Sequence, residues 1–353
     1  MELGVTIRLG ARAVGVADLD NDRPTVKLQS GKEVSGDVVL LADGLWSAIR
    51  PQFLGRPSPA VLTGDLAYRI TLRLDELEGP DAEELREVVR NPTVRFWLGP
   101  RGHAVGYSVS GGTVYNLVFL CPDDLPEEVV KLEGNLEEMR DRFSTWDPLV
   151  RKFLAQVKAV HKWKLMWLAA LPEWANEAGT FFMLGDCCHP MLPYLAQGAN
   201  SSLEDGAVLG HLLGKVTKCD GKGKQLRKVS KMYQDLRMPR GRRIQLESFR
   251  QRDDSHLEDG EAQRRRDEVF LGVLEGKNEK KKKKKGKENG EEGEDVEDGE
   301  DGDDGGDGDD GGNGKIKTKA PFPSRWTCPE IQPFLYGYDA YAEAERAFRE
   351  DPF

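Results

Sequence analysis

Leu184-Gly185-Asp186-Cys187-Cys188-His189-Pro190-Met191-Leu192-Pro193-Tyr194-Leu195-Ala196-Gln197-Gly198-Ala199-Asn200 joins an apolar run to a glycine- and proline-rich loop and then to a helical pattern. The apolar run from Thr180 to Leu184 that leads into it reads as a strand buried on both faces. It ends in Gly-Asp, and a carboxylate at the C-terminal end of such a strand stands where open α/β sheets bind ligands. No basic residue is close to Asp186 in sequence, so a hydroxyl-rich ligand suits it. The loop that follows is stiffened by Pro190 and Pro193, and Gly198 lets backbone approach something flat. A helix is expected from near Asn200 to Val216, with Ser201 and Ser202 at its cap and Glu204 and Asp205 in its first turn. Its free N–H groups and positive dipole end favour negative charge on the ligand.

Outward from this stretch the chain changes character several times. Val5 to Leu9, Ala13 to Asp18 and Thr25 to Leu28 alternate as strands, and Asp37 to Ala42 reads as a buried strand ending at Asp43-Gly44. Trp46 to Phe53 reads as a short helix. Leu66 to Leu72, Val94 to Leu98, His103 to Val109 and Thr113 to Leu120 read as an antiparallel sheet, with a helix at Asp81 to Arg90 and a tight link at Gly111-Gly112. Helix is expected from Leu136 to Lys158 with a break at Trp146-Asp147-Pro148, then a strand from His161 to Leu168. Gln225 to Arg252 reads as a long basic helix, and Glu261 to Leu274 as a shorter one.

The 353 residues carry a formal charge of −10, and the tract 277–319, with 11 basic and 15 acidic residues, supplies −4 of it. The remainder is only mildly acidic, which argues against a nucleic-acid binder. The tract's lysine run and acidic, glycine-rich sequence cannot bury a core and read as disordered. No apolar run reaches the roughly 20 residues needed to span a bilayer, and the first residues lack the pattern of a signal peptide. Five cysteines without Cys-x-x-Cys spacing disfavour a metal site or disulfide framework and fit a reducing, cytoplasmic setting.

The Gly-Asp, His-Pro, proline-rich loop with Gln-Gly, and helix with Glu-Asp (Gly185, Asp186, His189, Pro190, Pro193, Gln197, Gly198, Asn200, Glu204, Asp205) strongly resemble the second FAD-binding motif of the FAD-dependent aromatic-ring monooxygenases, the salicylate- and hydroxybenzoate-hydroxylase-like flavoproteins. Leu41-Ala42-Asp43-Gly44-Leu45-Trp46-Ser47-Ala48-Ile49-Arg50, about 140 residues earlier, is similar to that family's Ala-Asp-Gly-x-x-Ser-x-x-Arg segment. Tyr233 to Arg243, His256-Leu257-Glu258-Asp259-Gly260 and Tyr336-Gly337-Tyr338-Asp339 extend the likeness, and the tract 277–320 reads as an insertion.

The resemblance implies an α/β (α+β) fold: an FAD-binding domain of aromatic hydroxylase type with an antiparallel substrate-binding sheet. It divides the chain into 1–60 and 171–276 for the flavin, 61–170 for the substrate, and 321–353 packing back on the fold. It implies FAD as cofactor, NAD(P)H as co-substrate, and a small aromatic substrate with O2. Asp43, Gly44, Arg50, Gly185, Asp186, Pro193, Gln197, Gly198, Ala199 and Asn200 become the flavin residues, with Asp186 on the ribityl chain and Ser47 and Arg50 facing an anion. Arg69, His103 and Tyr107 become substrate candidates, and no metal is expected. His189 is read as shaping the loop, and Trp163 and Trp167 as core.

One departure stands out. The family opens with a strand, Gly-x-Gly-x-x-Gly and a helix, and no such motif occurs here. Met1 to Ile7 matches a point about a hundred residues inside the family's first domain, judged by the usual size of a dinucleotide-binding half. The expected form is therefore N-terminally incomplete, and the chain alone is expected to hold FAD poorly. Two further readings share the motifs: a truncated, non-catalytic remnant or mis-predicted fragment, and a related flavin-dependent oxidation or epoxidation in secondary metabolism.

Overall fold

In a computed structural model, which describes residues 4–19, 23–217, 221–272 and 324–353, the local patterns become three sheets and a set of helices. Residues 1–257 with 324–353 form one compact unit, and 258–323 a second whose described part is helical from 261. The tract 277–320, Leu274 and Cys219 lie outside the described residues.

β1 (Ala13–Asp18), β2 (Thr25–Leu28) and β3 (Glu33–Ser35) form a small antiparallel meander. The strand expected at Val5 to Leu9 is not formed. Its alternation puts three apolar side chains on one side, but no strand among the described residues pairs with it, and Leu9 is 93% exposed. β4 (Val39–Leu41) pairs in parallel with β11 (Phe181–Met183), Leu41 opposite Met183. That pair is the floor of a core built with Val208, Leu209 and Leu212 of α5 (Gly198–Leu213) and Val229, Met232 and Tyr233 of α6 (Lys222–Ser255). The C-terminal helix Ala340–Glu350 adds Ala340 and Ala344 to it, and Leu335 and Ile331 are also buried.

In sequence, a six-stranded antiparallel sheet comes between β4 and β11. Its order is β6 (Arg95–Gly99), β7 (Gly102–Val109), β8 (Val114–Pro122), β5 (Val61–Arg73), β10 (His161–Trp167) and β9 (Lys131–Glu133). Strict alternation explains its two faces. Tyr68, Ile70 and Leu72 of β5 and Tyr115, Leu117 and Phe119 of β8 bury one face against α2 (Ala82–Arg90), α3 (Leu136–Arg142) and α4 (Pro148–Ala155). The break expected between α3 and α4 falls where Asp147 accepts from Leu149 N–H and Pro148 opens α4. On the other face Ala67, Leu120 and Leu165 meet Leu192 and Tyr194 of the proline-rich loop, with Trp163 and Phe249 beside them. The sheet's first and last long strands end together: Trp167 pairs with Val61 and Met166 with Leu62.

Candidate functional site

The parallel register of β4 and β11 brings Asp43 and Asp186 out at the same edge, two and three residues beyond the paired Leu41 and Met183. Both residues are exposed. Gly185, at φ +60°, turns the chain out of β11 into a single 3-10 turn, Gly185–Cys187, so the strand stops at Met183 rather than running on to Asp186. Asp186 projects beside the start of α5, where a Cβ built on Gly198 would lie 4.0 Å from its Oδ1. Burial of its surroundings raises the Asp186 carboxyl above the ordinary carboxylate range, with His189 opposing.

α5 begins at Gly198, earlier than the serine cap expected from sequence, with Gln197 as a cap residue that makes no side-chain capping bond. The first-turn amides of Gly198, Ala199 and Asn200 are thus left for a partner outside the helix. Ser201 instead lies wholly buried inside the helix. Asn200 Nδ2 donates to Gln197 Oε1 at 3.1 Å and to Glu204 Oε1 at 3.3 Å. Pro193, Ala196, Ala199 and Asn200 are exposed along this rim, Gly198 is half-buried, and Gln197 is buried. Ala196 adopts a left-handed backbone at φ +50°, which bends the loop ahead of α5.

Glu204 and Asp205 do not sit at the helix dipole. They face α6, where Arg237 Nε lies 2.8 Å from Asp205 Oδ1 and Arg240 Nε 2.7 Å from Glu204 Oε2. His189 is wholly buried, its Nε2 2.5 Å from Asp205 Oδ2 and its ring 4.8 Å from that of Trp174, as suits a residue that shapes the loop. Burial works against the Asp205 charge, but His189, Arg237 and the Gly185 N–H outweigh it and hold the carboxyl below its ordinary value. Cys188, His189 and Asp205 offer three ligand atoms within 4.8 Å of one another. Arg237 and the Gly185 N–H already engage Asp205, so the group reads as a buried ion network, not a metal centre.

Arg50 corrects the sequence reading. It is 2% exposed, and its guanidinium does not face an anion. It donates to the carbonyls of Leu45 (2.9 Å), Ser58 (3.0 Å) and Cys187 (3.0 Å), and to Ser58 Oγ (3.2 Å). Ser47 Oγ accepts from Arg50 N–H, which starts the helix α1 (Arg50–Phe53) four residues later than Trp46. The physical reason is spacing: Pro51 pre-sets the first turn, and the carbonyls of the preceding loop point inward at the guanidinium. Arg50 therefore ties the Asp43-Gly44 segment to the Gly-Asp turn. Burial first, then the Asp43 charge, push the enclosed Cys187 thiol up to about 12, so it is a packing residue. Gly44, at φ +80°, keeps its Cβ side open.

Arg69, His103 and Tyr107 lie on one face of the large sheet, the face toward the proline-rich loop. Register sets them in successive rungs: His103, Leu120 and Ala67, then Val105, Val118 and Arg69, then Tyr107, Asn116 and Thr71. Arg69 and Tyr107 are exposed, whereas His103 is 3% exposed. Sequence reasoning missed two residues at this place. Tyr194 OH donates to Asp65 Oδ2 at 2.7 Å, and its ring lies 5.5 Å from those of His103 and His256. Only the aromatic in an otherwise aliphatic loop could have signalled Tyr194; His256 stood out only as the start of the His256–Gly260 likeness, with no role attached.

Comparison with known proteins identifies the family and the fold. The FAD binding domain family matches residues 1–247. The chain is 43% identical over 350 residues to the FAD-dependent monooxygenase OpS4 of Beauveria bassiana (strain ARSEF 2860), covering 98% of this chain and 69% of that protein. It is 31% identical over 229 residues to a 3-hydroxybenzoate 6-hydroxylase of Polaromonas naphthalenivorans (strain CJ2), covering 65% of this chain and 53% of that one. The chain thus spans between about half and about two thirds of these relatives' length. Its fold is that of a salicylate hydroxylase solved as a substrate complex, with a TM-score of 0.66 at 19% identity, over 98% of this chain and 72% of that one.

Proposed function

The chain belongs to the FAD-binding family of flavin-dependent monooxygenases, and from that premise we propose that it acts in the hydroxylation of a small aromatic substrate with NAD(P)H and O2. One observation carries the reading. An exposed carboxylate, Asp186, stands at the C-terminal end of a buried parallel strand, over Gly198 at the uncapped start of α5. The residues fit the ring and ribityl parts of FAD. Asp186 can accept from ribityl hydroxyls, the amides of Gly198, Ala199 and Asn200 can face a negatively charged ring edge, and the exposed Pro193 and Ala196 border the same rim. Asp43 and Gly44 border the same edge from the neighbouring strand.

Bound FAD, reduced by NAD(P)H, supplies the activated oxygen for insertion into the ring. The chain's own residues position and enclose. Arg237, Asp205 and His189 hold the loop and α5 in fixed relation, so the donors at α5 need no rearrangement as charge develops. Leu120 and Ala67 of the sheet pack against Leu192 of the loop, which keeps water out of the seam between them. Arg69, a rung away from His103, can meet an anionic substituent of the substrate.

The test is reconstitution of the full chain with FAD, followed by gel filtration and the visible spectrum of the protein fraction. Asp186→Ala is expected to lose the flavin that the unaltered chain retains while keeping its circular dichroism. Measurable flavin retained equally by the two proteins would remove Asp186 from the site. Hydroxybenzoates are then screened for substrate-triggered NAD(P)H oxidation, and product identity separates ring hydroxylation from epoxidation.

A further inference from the structure

A cavity of about 320 Å3 opens between α6 and the segment that leads into β11. That is the lower end of the range for small-molecule sites, roughly 300–1,000 Å3. Met238, Pro239, Arg242 and Gln245 recur at helical spacing, so one stripe of α6 supplies one wall. Trp174 and Cys188 line the other. Neither Asp43, Asp186 nor Gly198 lines it, so the cavity is distinct from the Asp186 edge. It shares a wall with the loop of that edge, since Cys188 closes the Gly185–Cys187 turn and Gln245 Nε2 donates to the Pro190 carbonyl at 2.9 Å.

The walls are held before any ligand arrives. Trp174 is 3% exposed; its backbone N–H donates to Gln234 Oε1 at 2.8 Å, and its carbonyl accepts from the Met183 N–H at 2.7 Å. Its ring lies 4.8 Å from that of His189, and a Cβ built on Gly241 would come within 2.7 Å of its Cη2. Glycine at 241 thus lets the indole lie close against α6. Pro239 presents a rigid ring, and Met238 a thioether that packs well at an aromatic edge. These surfaces suit a flat ring better than a flexible chain.

The polar end is Arg242. Between Arg237 and Arg252 the other arginines of α6 each meet a carboxylate or an aromatic ring. Arg237 pairs with Asp205, Arg240 with Glu204, Arg250 with Glu247 and Arg252 with Asp253, and Arg243 lies 4.1 Å from the Phe334 ring. Arg242 is exposed and meets no carboxylate, carbonyl or ring among the described residues. No acidic residue stands three or four positions from it, so its own helix cannot pair it. A guanidinium at the rim of an apolar cavity offers a carboxylate two parallel donors.

We propose that this cavity is a second ligand site, separate from the Asp186 edge, and that it takes a small aryl carboxylate. The ring lies between Trp174 and the Met238–Pro239 stripe of α6, and Arg242 holds the carboxylate at the mouth. A neutral aryl compound keeps the ring contacts and loses the ion pair.

The experiment uses the full chain without flavin, labelled with 13C at the methionine methyls, and follows the Met238 signal, assigned by Met238→Leu. Benzoate and its uncharged counterpart benzamide are the probes. Benzoate is expected to shift the Met238 signal saturably and to bind about three- to tenfold more tightly than benzamide. Arg242→Gln is expected to remove that preference. Arg69→Gln, on the sheet face read as the substrate wall, is expected to leave it intact. A Met238 signal that benzoate does not move overturns the proposal, as does equal affinity for the two probes or a preference that survives Arg242→Gln. A preference lost in Arg69→Gln would put the carboxylate on the sheet and overturn it equally. None of these readings depends on flavin binding, and the two probes on the unaltered chain decide even if a variant fails to fold.

Discussion

At Gly185 the backbone holds φ +60°, and a Cβ placed there would come within 2.6 Å of Ser202 Oγ, which is itself bonded to the Gly198 carbonyl. Gly185→Ala combines a left-handed cost of about 1–2 kcal/mol with that contact. It is expected to lower the urea midpoint without changing the slope. Its neighbour Asp186 behaves in the opposite way. Its folded pKa is raised above the ordinary 3.8, so the folded state binds the proton more tightly than the unfolded chain, and stability falls as pH rises through that window. Asp186→Asn should therefore be more stable than the unaltered protein at pH 7, with the advantage gone once the pH falls below the ordinary carboxylate value. Urea unfolding at pH 7 and at about pH 3.5 checks the sign. A residue that weakens its own fold unless a ligand meets it is what a binding carboxylate looks like.

Elements read from local pattern came out where short-range physics decides them. β1 keeps the limits Ala13 to Asp18, and α2, α4 and β10 fall within a few residues of their expected ends. The antiparallel sheet was legible because its alternation is strict on both faces. What stayed hidden depends on partners far along the chain. Glu204 and Asp205 look like first-turn acids until α6 delivers Arg237 and Arg240 more than 30 residues later. Arg50 looks like an anion ligand until the Cys187 carbonyl arrives from 137 residues away. Val5, Ile7 and Leu9 alternate correctly, yet alternation alone makes no strand without a neighbour to pair with. The α5–α6 contact is where removal costs most. Arg237→Met leaves the buried Asp205 without its arginine, while Glu204 keeps Arg240, and is expected to cost about 3–5 kcal/mol. Asp205, depressed in the folded state, contributes stability that is present above the ordinary carboxylate range and lost as pH falls through its lowered value. Thermal unfolding followed from pH 7 down to pH 2 should show this acid limb flattened in Asp205→Asn.

For the whole molecule, the final segment is structural. Arg240 donates to the Phe334 carbonyl, and its guanidinium lies 4.1 Å from the Tyr338 ring. Tyr338→Ala is expected to cost about 1 kcal/mol through this cation–π contact, and faster amide exchange in α5 and α6 would register it. The pairing of Val61 with Trp167 has a different consequence, one that concerns the order of events in time. β4 and β11 are about 140 residues apart in sequence, a distant closure for a three-residue parallel pair. Once the large sheet has formed, its two ends are neighbours, and the path from Leu41 to Phe181 shortens to about 35 residues of remaining chain. That is two doublings fewer, or about 1 kcal/mol of chain entropy removed from the closing step. The sheet should therefore assemble first and act as a staple for the ligand edge. Pulse-labelled exchange during refolding would then find the amides of β5, β7 and β8 protected before those of Val39 to Leu41.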